Sequence, residues 1–182
     1  MNVMSKASWL ILQWMLFGPL IQFTHAQSAQ THFSGTVESS RLSELSNENS
    51  NQVHPKIKGA TVTAWKEGMI YHAVTSDVKG YFSLYLEGGA VYELIFSRKD
   101  YYNKKFIIDC TDAPRKNSNH PYQLDADISL FRIERGIADS TLEDMTYTSA
   151  KFFGGIIKFS ETEAEKSRER FSQAYKASKS KK

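Results

Sequence analysis

Short runs of β-branched and aromatic residues, several of them alternating with polar residues, recur from residue 32 onward, and turn-forming residues separate them. Six such runs read HFSGTV, ATVTAW, IYHAV, YFSLYL, VYELIF and KFIIDC, at residues 32–37, 60–65, 70–74, 81–86, 91–96 and 105–110. Alternation with a period of two places one set of side chains on each face of a strand. Many short strands joined by tight turns are typical of an antiparallel sandwich, so we predict a mainly β fold.

The segments between these runs contain residues that favour turns and loops. Asp77 and Gly80 occupy the first and fourth positions of a predicted type I turn. Gly88 and Gly89 can supply the positive φ of a hairpin between two strands. The polar stretches 39–52 and 111–120 are predicted to be solvated loops. Residues 124–133 alternate again and predict one further strand with acidic residues on its outer side.

The C-terminal third predicts a strand or hairpin followed by a helix. Residues 150–159 read AKFFGGIIKF, with a Gly-Gly pair at the predicted turn. Ser160 and Glu163 have the spacing of a capping box, so a helix is predicted over about 161–177. Residues 166–182 hold seven basic residues and one acidic residue, a local charge of +6. This basic tail is either a solvated terminus or a contact for a glycan or an anionic surface.

The first 26 residues predict a secretory signal peptide. Lys6 precedes an apolar run over 7–23 that polar and helix-breaking residues interrupt. Small residues at Thr24 and Ala26 fit the third and last positions before a cleavage site, so we expect cleavage after Ala26. An uncleaved membrane anchor is the alternative, although the breaks make this run a poor spanning helix. We therefore expect an exported protein that is periplasmic, cell-surface or secreted.

Charge and cysteine content restrict the classes of function. The chain has 23 basic and 20 acidic residues, a net charge of +3, which gives no reason to expect a nucleic-acid partner. Cys110 is the only cysteine, so no internal disulfide can form. Its place at the end of an apolar strand predicts a buried, inert thiol. The sequence has no Asn-x-Ser/Thr site, which favours a bacterial envelope over eukaryotic secretion.

Residues 33–97 resemble the carboxypeptidase regulatory-like domain, a transthyretin-like β-sandwich. The family's Gly-x-Val and Gly-Ala-x-Val strands are matched at 35–37 and 59–62. Its Thr-Asp-x-x-Gly-x-(Phe/Tyr) turn is matched at 75–82, and its Gly-x-Tyr-x-Leu strand loosely at 89–94, each with one extra residue. The departure is the long insertion at 39–52, where the family usually has a short turn.

The resemblance implies that five residues are framework. Gly35 and Gly59 would permit bends or close packing, Asp77 and Gly80 would form a turn, and Tyr81 would cover the core together with its neighbour. The family module has no catalytic residues of its own. The C-terminal part also resembles tails of small exported proteins of Bacteroidetes-type bacteria.

These inferences predict a seven- to eight-stranded transthyretin-like antiparallel sandwich at residues 27–135, after the signal peptide. A strand-plus-helix extension with the basic tail is predicted at 136–182. No catalytic residue, cofactor or metal site is expected. The histidines of the predicted mature chain lack the spacing of a metal motif, and they are His32, His54, His72 and His120. Asp125 and Asp127 share a strand face and could offer oxygens to Ca²⁺, but a solvated strand face is the expectation.

The leading hypothesis is a non-catalytic binding or structural module of the cell envelope that docks to another envelope protein. Tyr101 and Tyr102 could form an exposed docking patch, or they could pin their loop to the sandwich edge. The alternative is a protein that binds carbohydrate or another surface polymer through these tyrosines and Trp65. A third hypothesis, a hydrolase, requires a cleft that joins His72 with Asp125 and Asp127. Oligomeric state and partner identity are not predicted.

Overall fold

The computed structural model describes residues 29–42, 44, 53–113, 121–134, 146–153 and 156–180. The predicted signal peptide and its cleavage site lie outside the described residues, as do most of the 39–52 and 111–120 stretches. Within the part that is described, no helix has the length and apolar character needed to cross a bilayer.

Ten strands and one helix follow one another along the described chain. The strands are β1 (Gln30–Ser40), β2 (Thr61–Lys66), β3 (Met69–Thr75), β4 (Tyr81–Glu87), β5 (Val91–Ser97), β6 (Lys104–Asp109), β7 (Tyr122–Asp125), β8 (Ile128–Phe131), β9 (Thr146–Phe153) and β10 (Ile156–Phe159). The helix, α1 (Glu161–Lys179), ends two residues beyond its predicted limit.

The strands form two sheets. In the four-stranded sheet, β1 pairs antiparallel with β4 on one side and parallel with both β7 and β8 on the other. The six-stranded sheet has the order β10-β9-β6-β5-β2-β3, and β9 pairs parallel with β6. The predicted mainly β sandwich with a C-terminal helix is therefore confirmed. The expectation that every strand pair is antiparallel is wrong, because long connections return the chain beside β1 and β6 in the same direction.

Alternating side chains from both sheets fill the space between them. In β4 and β5 every second residue is buried, as the period-two pattern predicts. The centre of the core is a chain of edge-to-face rings, with centroids 5.2 Å apart for Phe33–Phe82 and Phe82–Phe96 and 5.3 Å apart for Phe96–Phe106. The β9–β10 hairpin contributes Phe152 to the same core, so the predicted extension continues the six-stranded sheet.

A second, smaller core lies where α1 meets the sandwich. Leu42, Tyr102, Phe131 and Phe171 are buried there together. The stretch 39–52 is therefore not solvated throughout, because Leu42 is fully buried in this cluster. The basic tail likewise is not a free terminus over its helical part, since Phe171 is 1% exposed.

Gly35 explains why the single strand predicted at 124–133 is divided into β7 and β8. A Cβ atom at this position would lie 1.8 Å from the Ala126 carbonyl oxygen, so only glycine permits the backbones to approach this closely. The break falls beside it, at Ala126 and Asp127. The Asp127 carboxylate accepts a hydrogen bond from the Thr36 N–H at 3.2 Å, which replaces a backbone partner at the gap.

The predicted turn at residues 77–80 is confirmed, and one framework residue behaves differently from the expectation. The Asp77 carboxylate accepts hydrogen bonds from the N–H groups of Lys79 at 2.8 Å and Tyr81 at 2.9 Å. Gly80 has a φ of 75° and packs against the Val37 carbonyl, as a close-packed turn requires. Tyr81 does not cover the core, because strand alternation turns it outward with 44% exposure while Phe82 faces inward.

Candidate binding surface

The outer side of the four-stranded sheet carries an ordered array of polar and aromatic side chains. Alternation turns them away from the core, and strand register aligns them in rows across β4, β1 and β7. We call this surface the tyrosine face. Its members are His32, Ser34, Thr36, Tyr81, Ser83, Tyr85, Gln123, Asp125 and, in the gap after β7, Asp127.

The first row of the tyrosine face is centred on His32. Its Nδ1 donates to Oε1 of Gln123 at 2.7 Å, and its Nε2 lies 2.7 Å from Oγ of Ser83. The imidazole stacks on Tyr85, with centroids 4.7 Å apart and planes 20° apart. Contacts with two strands thus fix the histidine ring, and the histidine supports the exposed tyrosine ring beside it.

The next rows pair hydroxyl groups with carboxylates. Ser34 is 4% exposed and donates to Asp125 across the parallel β1–β7 pair. The hydroxyl of Thr36 donates to Asp127 and accepts from Nζ of Lys56 at 2.9 Å. Lys56 also forms an ion pair with Glu38 at the edge of this surface. Each carboxylate keeps acceptor positions beyond these bonds, because a carboxylate can accept about four hydrogen bonds.

Two exposed rings bracket the polar rows. Tyr85 is 51% exposed and Tyr81 is 44% exposed, both on β4. They lie four positions apart along an extended strand, a distance of about 13 Å. The surface therefore offers two apolar planes with fixed hydrogen-bonding groups beside them, which can hold an extended ligand that is itself both apolar and rich in hydroxyl groups.

Tyr101 and Tyr102 pin their loop to the sandwich, which is the second of the two expectations for them. The hydroxyl of Tyr101 donates to Oγ of Ser39 at 3.0 Å and lies 3.3 Å from Nε of Arg132. Tyr102 is 2% exposed, because it packs in the smaller core beneath α1. Tyr102 is therefore not part of an exposed patch, and the Tyr101 hydroxyl is already engaged in hydrogen bonds.

Trp65 lies apart from the tyrosine face, on the outer side of the six-stranded sheet. It is half-buried at the wall of a shallow cavity that also involves Glu93. The structure does not bring together the two aromatic sites that the carbohydrate hypothesis combined, because the loop with Tyr101 lies near β8 whereas Trp65 faces outward beside β5.

The structure does not form the cleft that the hydrolase hypothesis requires. His72 is exposed on β3, whereas Asp125 and Asp127 belong to the other sheet and are bonded to β1 hydroxyl groups. β3 contacts β4, and β7 lies two strand spacings, about 10 Å, from β4 in the same sheet. Across the described residues, no group of three or more His, Cys, Asp or Glu side chains could hold a metal ion.

Cys110 is buried, as the sequence predicts. Burial raises the pKa of its thiol to about 11, although the hydrogen bond with Thr31 acts in the opposite direction. A thiol with this pKa is protonated at neutral pH and is therefore a poor nucleophile.

The comparisons with known proteins reveal distant resemblances in shape. No protein-family model matches the sequence, and no curated protein matches it. The Bacillus anthracis TIE protein aligns over 58% of this chain and 18% of its own length, at 14% identity and a TM-score of 0.39. The 3-chlorocatechol 1,2-dioxygenase from Rhodococcus opacus 1CP aligns over 60% and 62%, at 11% identity and a TM-score of 0.37.

The plantain pollen allergen Pla l 1 aligns over 57% of this chain and 94% of its own length, at 16% identity and a TM-score of 0.34. The chain thus spans less than two thirds of the first two structures. Resemblances this weak assign neither an activity nor a ligand to this chain.

Sequence reasoning did not identify the tyrosine face, although part of the signal was present. The alternation of β1 and β4 already separates outward from inward residues. Alternation does not show which strands are neighbours in the sheet, and His32 and Gln123 lie 91 positions apart in the sequence. One feature of the sequence could have indicated a functional sheet face: alternating His, Ser and Thr on one strand, and alternating Tyr, Ser and Tyr on another.

Proposed function

We propose that this protein is a non-catalytic binding module of a bacterial cell envelope that holds a hydroxyl-rich polymer, a glycan, on its tyrosine face. The predicted signal peptide would deliver it there. The resemblance of residues 33–97 to the carboxypeptidase regulatory-like domain, which lacks catalytic residues, supports the non-catalytic part of the proposal.

The observation that carries the proposal is the fixed arrangement of ring and hydrogen-bonding groups around His32. A sugar ring has a C–H face that packs on an aromatic plane, and its hydroxyl groups both donate and accept. The tyrosine face supplies the rings of Tyr81 and Tyr85 and the acceptor oxygens of Asp125. Because His32 already holds the Tyr85 ring and Ser34 already holds Asp125, ordering these two side chains on binding costs little entropy.

Affinity electrophoresis of the full chain through gels that contain dextran, mannan, soluble xylan or glycol chitin tests the proposal. We expect at least one polymer to retard the protein. Tyr85→Ala and Tyr81→Ala should each raise the dissociation constant for that polymer about 5- to 10-fold, because each removes one stacking plane. Tyr85→Phe keeps the ring and should retain most of the affinity.

Ile156→Ala is the matched control, because Ile156 is 60% exposed on the six-stranded sheet, away from the tyrosine face. Equal mobility of wild type and both tyrosine-to-alanine variants in every gel would contradict the proposal.

Docking to another envelope protein, the leading hypothesis from the sequence, is a second candidate that β3 favours. Among the described strands β3 ends its sheet, and its sequence MIYHAVT contains no Lys, Arg, Asp or Glu. Met69 is 68% exposed and Ile70 is 61% exposed. Uncharged edges of this kind accept an added strand from a partner.

The test of this candidate is retention of an envelope protein from native extract on the immobilised full chain. Ile70→Lys should abolish the retention, because a charge on the edge opposes strand addition, while Ile156→Lys should preserve it. A retained protein that both variants hold equally would exclude docking through β3.

A further inference from the structure

A shallow cavity lies on the outer side of the six-stranded sheet, on the other side of the sandwich from the tyrosine face. It measures about 250 Å³, and its walls include Trp65, Glu67, Val91, Glu93 and Ile107. This volume lies just below the usual range for ligand pockets, about 300–1,000 Å³, so it suits a single ring rather than a long chain.

Strand register and a tight turn build this cavity. Trp65 pairs with Glu93, and Glu93 pairs with Ile107, so the three side chains form one row across β2, β5 and β6. The hairpin from β2 to β3 turns through Glu67 and Gly68, both with positive φ, as a two-residue type I′ loop requires. Gly68 has no atom within 4 Å of where a Cβ would be, so the cavity stays open at this end.

The cavity combines an apolar wall with polar groups of both kinds. Val91 is 47% exposed at its edge and Ile107 continues the apolar surface. Glu93 forms an ion pair with Lys105 at 2.9 Å, so its charge is balanced while its carboxylate still has acceptor capacity. The Trp65 indole N–H is buried, and none of the described residues accepts a hydrogen bond from it.

We propose that this cavity binds one neutral sugar ring, as a site separate from the tyrosine face. The C–H face of the ring lies against the indole of Trp65. One ring hydroxyl donates to Glu93, and another accepts from the indole N–H after the side chain rotates toward the cavity. The inference takes its ligand class from the proposed function, but it depends on different residues.

Charge and hydrogen bonding favour this occupant over others. An anion would meet the carboxylates of Glu67 and Glu93. A purely apolar ligand would desolvate these carboxylates without replacing their hydrogen bonds. A hydroxyl group both donates and accepts, so a neutral polyol satisfies the carboxylate and the indole N–H together.

The indole N–H resonance of Trp65 in a ¹H–¹⁵N spectrum of the full chain is a direct probe, assigned by its loss in Trp65→Phe. The ligands are the methyl glycosides of glucose, mannose, galactose and N-acetylglucosamine. We expect a saturable shift with at least one of them, and at least a 10-fold weaker affinity in Glu93→Ala. Lys158→Ala, an exposed change on β10, should leave the affinity unchanged.

Three results would overturn the inference: no saturable shift with any of the four glycosides, an unaltered affinity in Glu93→Ala, or a shift produced by methylammonium or acetate but not by a glycoside.

Tyr85→Ala separates the two sites. If this variant weakens polymer retention but keeps the indole shift, both proposals stand. If wild type shows the indole shift but every polymer leaves its mobility unchanged, the tyrosine face fails alone. Polymer retention without an indole shift removes the Trp65 site alone.

Discussion

At the scale of single residues, Gly35 is a position where the fold tolerates little change. The Cβ of Gly35→Ala would meet the Ala126 carbonyl oxygen at 1.8 Å, and a backbone atom in a paired strand cannot move aside cheaply. We expect a loss of about 3–5 kcal/mol in the free energy of unfolding, measured by chemical denaturation.

Gly68→Ala is the matched control for this prediction. Gly68 also has a positive φ, but nothing lies within 4 Å of its Cβ position. Gly68→Ala should therefore lower the free energy of unfolding by about 1–2 kcal/mol, through the strain of a positive φ alone. Equal losses in the two variants would show that the approach to Ala126 does not matter.

Lys104 is a second residue whose chemistry follows from its place. It is 1% exposed at the start of β6, with Nζ 4.5 Å from the centre of the Phe131 ring. Burial, with a smaller effect from the charge of Arg168, holds the pKa of Lys104 well below its ordinary value of 10.5. The folded protein thus disfavours the charged form that the unfolded chain adopts at neutral pH.

Replacing Lys104 by methionine removes its titration, so the difference in the free energy of unfolding between the variant and wild type should change with pH. Between the lowered folded-state pKa and 10.5 the unfolded chain binds more protons at this residue, so its contribution to stability rises with pH. The free energy of unfolding of Lys104→Met, relative to that of wild type at the same pH, should accordingly fall from pH 7 to pH 9, as measured by urea denaturation.

Cys110 acts in the opposite direction: because its pKa is raised in the folded state, stability falls as the pH rises above 9.0, the ordinary pKa of its thiol. Comparing Lys104→Met with wild type at the same pH removes this effect, since both proteins contain Cys110. The neighbouring Lys105→Met is the control. Lys105 forms a partly exposed ion pair with Glu93, so its loss should change stability by about 0.5 kcal/mol or less at either pH. A constant difference between Lys104→Met and wild type would contradict the assignment.

At the scale of elements, α1 depends on Phe171 for its attachment. Its ring is 1% exposed and lies 5.4 Å from that of Phe131. Most of the stability of a helix in a protein comes from tertiary packing rather than from intrinsic propensity, so we expect packing to hold this 19-residue helix. Phe171→Ala should remove about 3–5 kcal/mol of packing and release α1 before the sandwich unfolds.

Amide hydrogen exchange tests this directly. Exchange in α1 should accelerate in Phe171→Ala while exchange in β2 and β5 stays slow, and Lys176→Ala, an exposed change on the same helix, should match wild type. Uniform acceleration throughout the protein would mean that α1 and the sandwich unfold as one unit.

The elements themselves were largely predictable from the sequence, because their causes are local. Alternation gave the strands from β1 to β6, and the capping residues gave the start of α1 to the residue. Pairings between distant segments were not predictable. The parallel return of β7 and β8 beside β1, and of β9 beside β6, depends on contacts across about 90 and 40 positions. The burial of Tyr102 has the same origin, since its neighbours Leu42 and Phe171 are remote in sequence.

The candidate sites likewise were predictable from local sequence only in part. Trp65 was identified from its residue type, but its partner Glu93 lies on another strand and became apparent only through register. The family resemblance implies that Tyr81 covers the core, whereas strand alternation turns Tyr81 outward. Local sequence predicts on which face of a strand each side chain lies, whereas the fold determines which side chains lie close together.

At the scale of the whole molecule, the two proposed sites face opposite ways. They lie on the outer surfaces of different sheets, and the sheets of a sandwich pack face to face about 10 Å apart. A short glycan that binds one site therefore cannot reach the other. If both sites bind sugar rings, each molecule can join two polymer chains, and a mixture with long polymer should form a network.

Light scattering from the full chain mixed with the polymer that retards it should then pass through a maximum at an intermediate ratio of protein to polymer. Excess protein saturates separate chains and dissolves the network, as multivalent binding requires. Tyr85→Ala weakens one site and Trp65→Ala weakens the other, so both variants should lower the maximum, while Ile156→Ala should keep it. A maximum of unchanged height in Trp65→Ala would mean that cross-linking, if it occurs, comes from self-association rather than from two sugar sites on one chain.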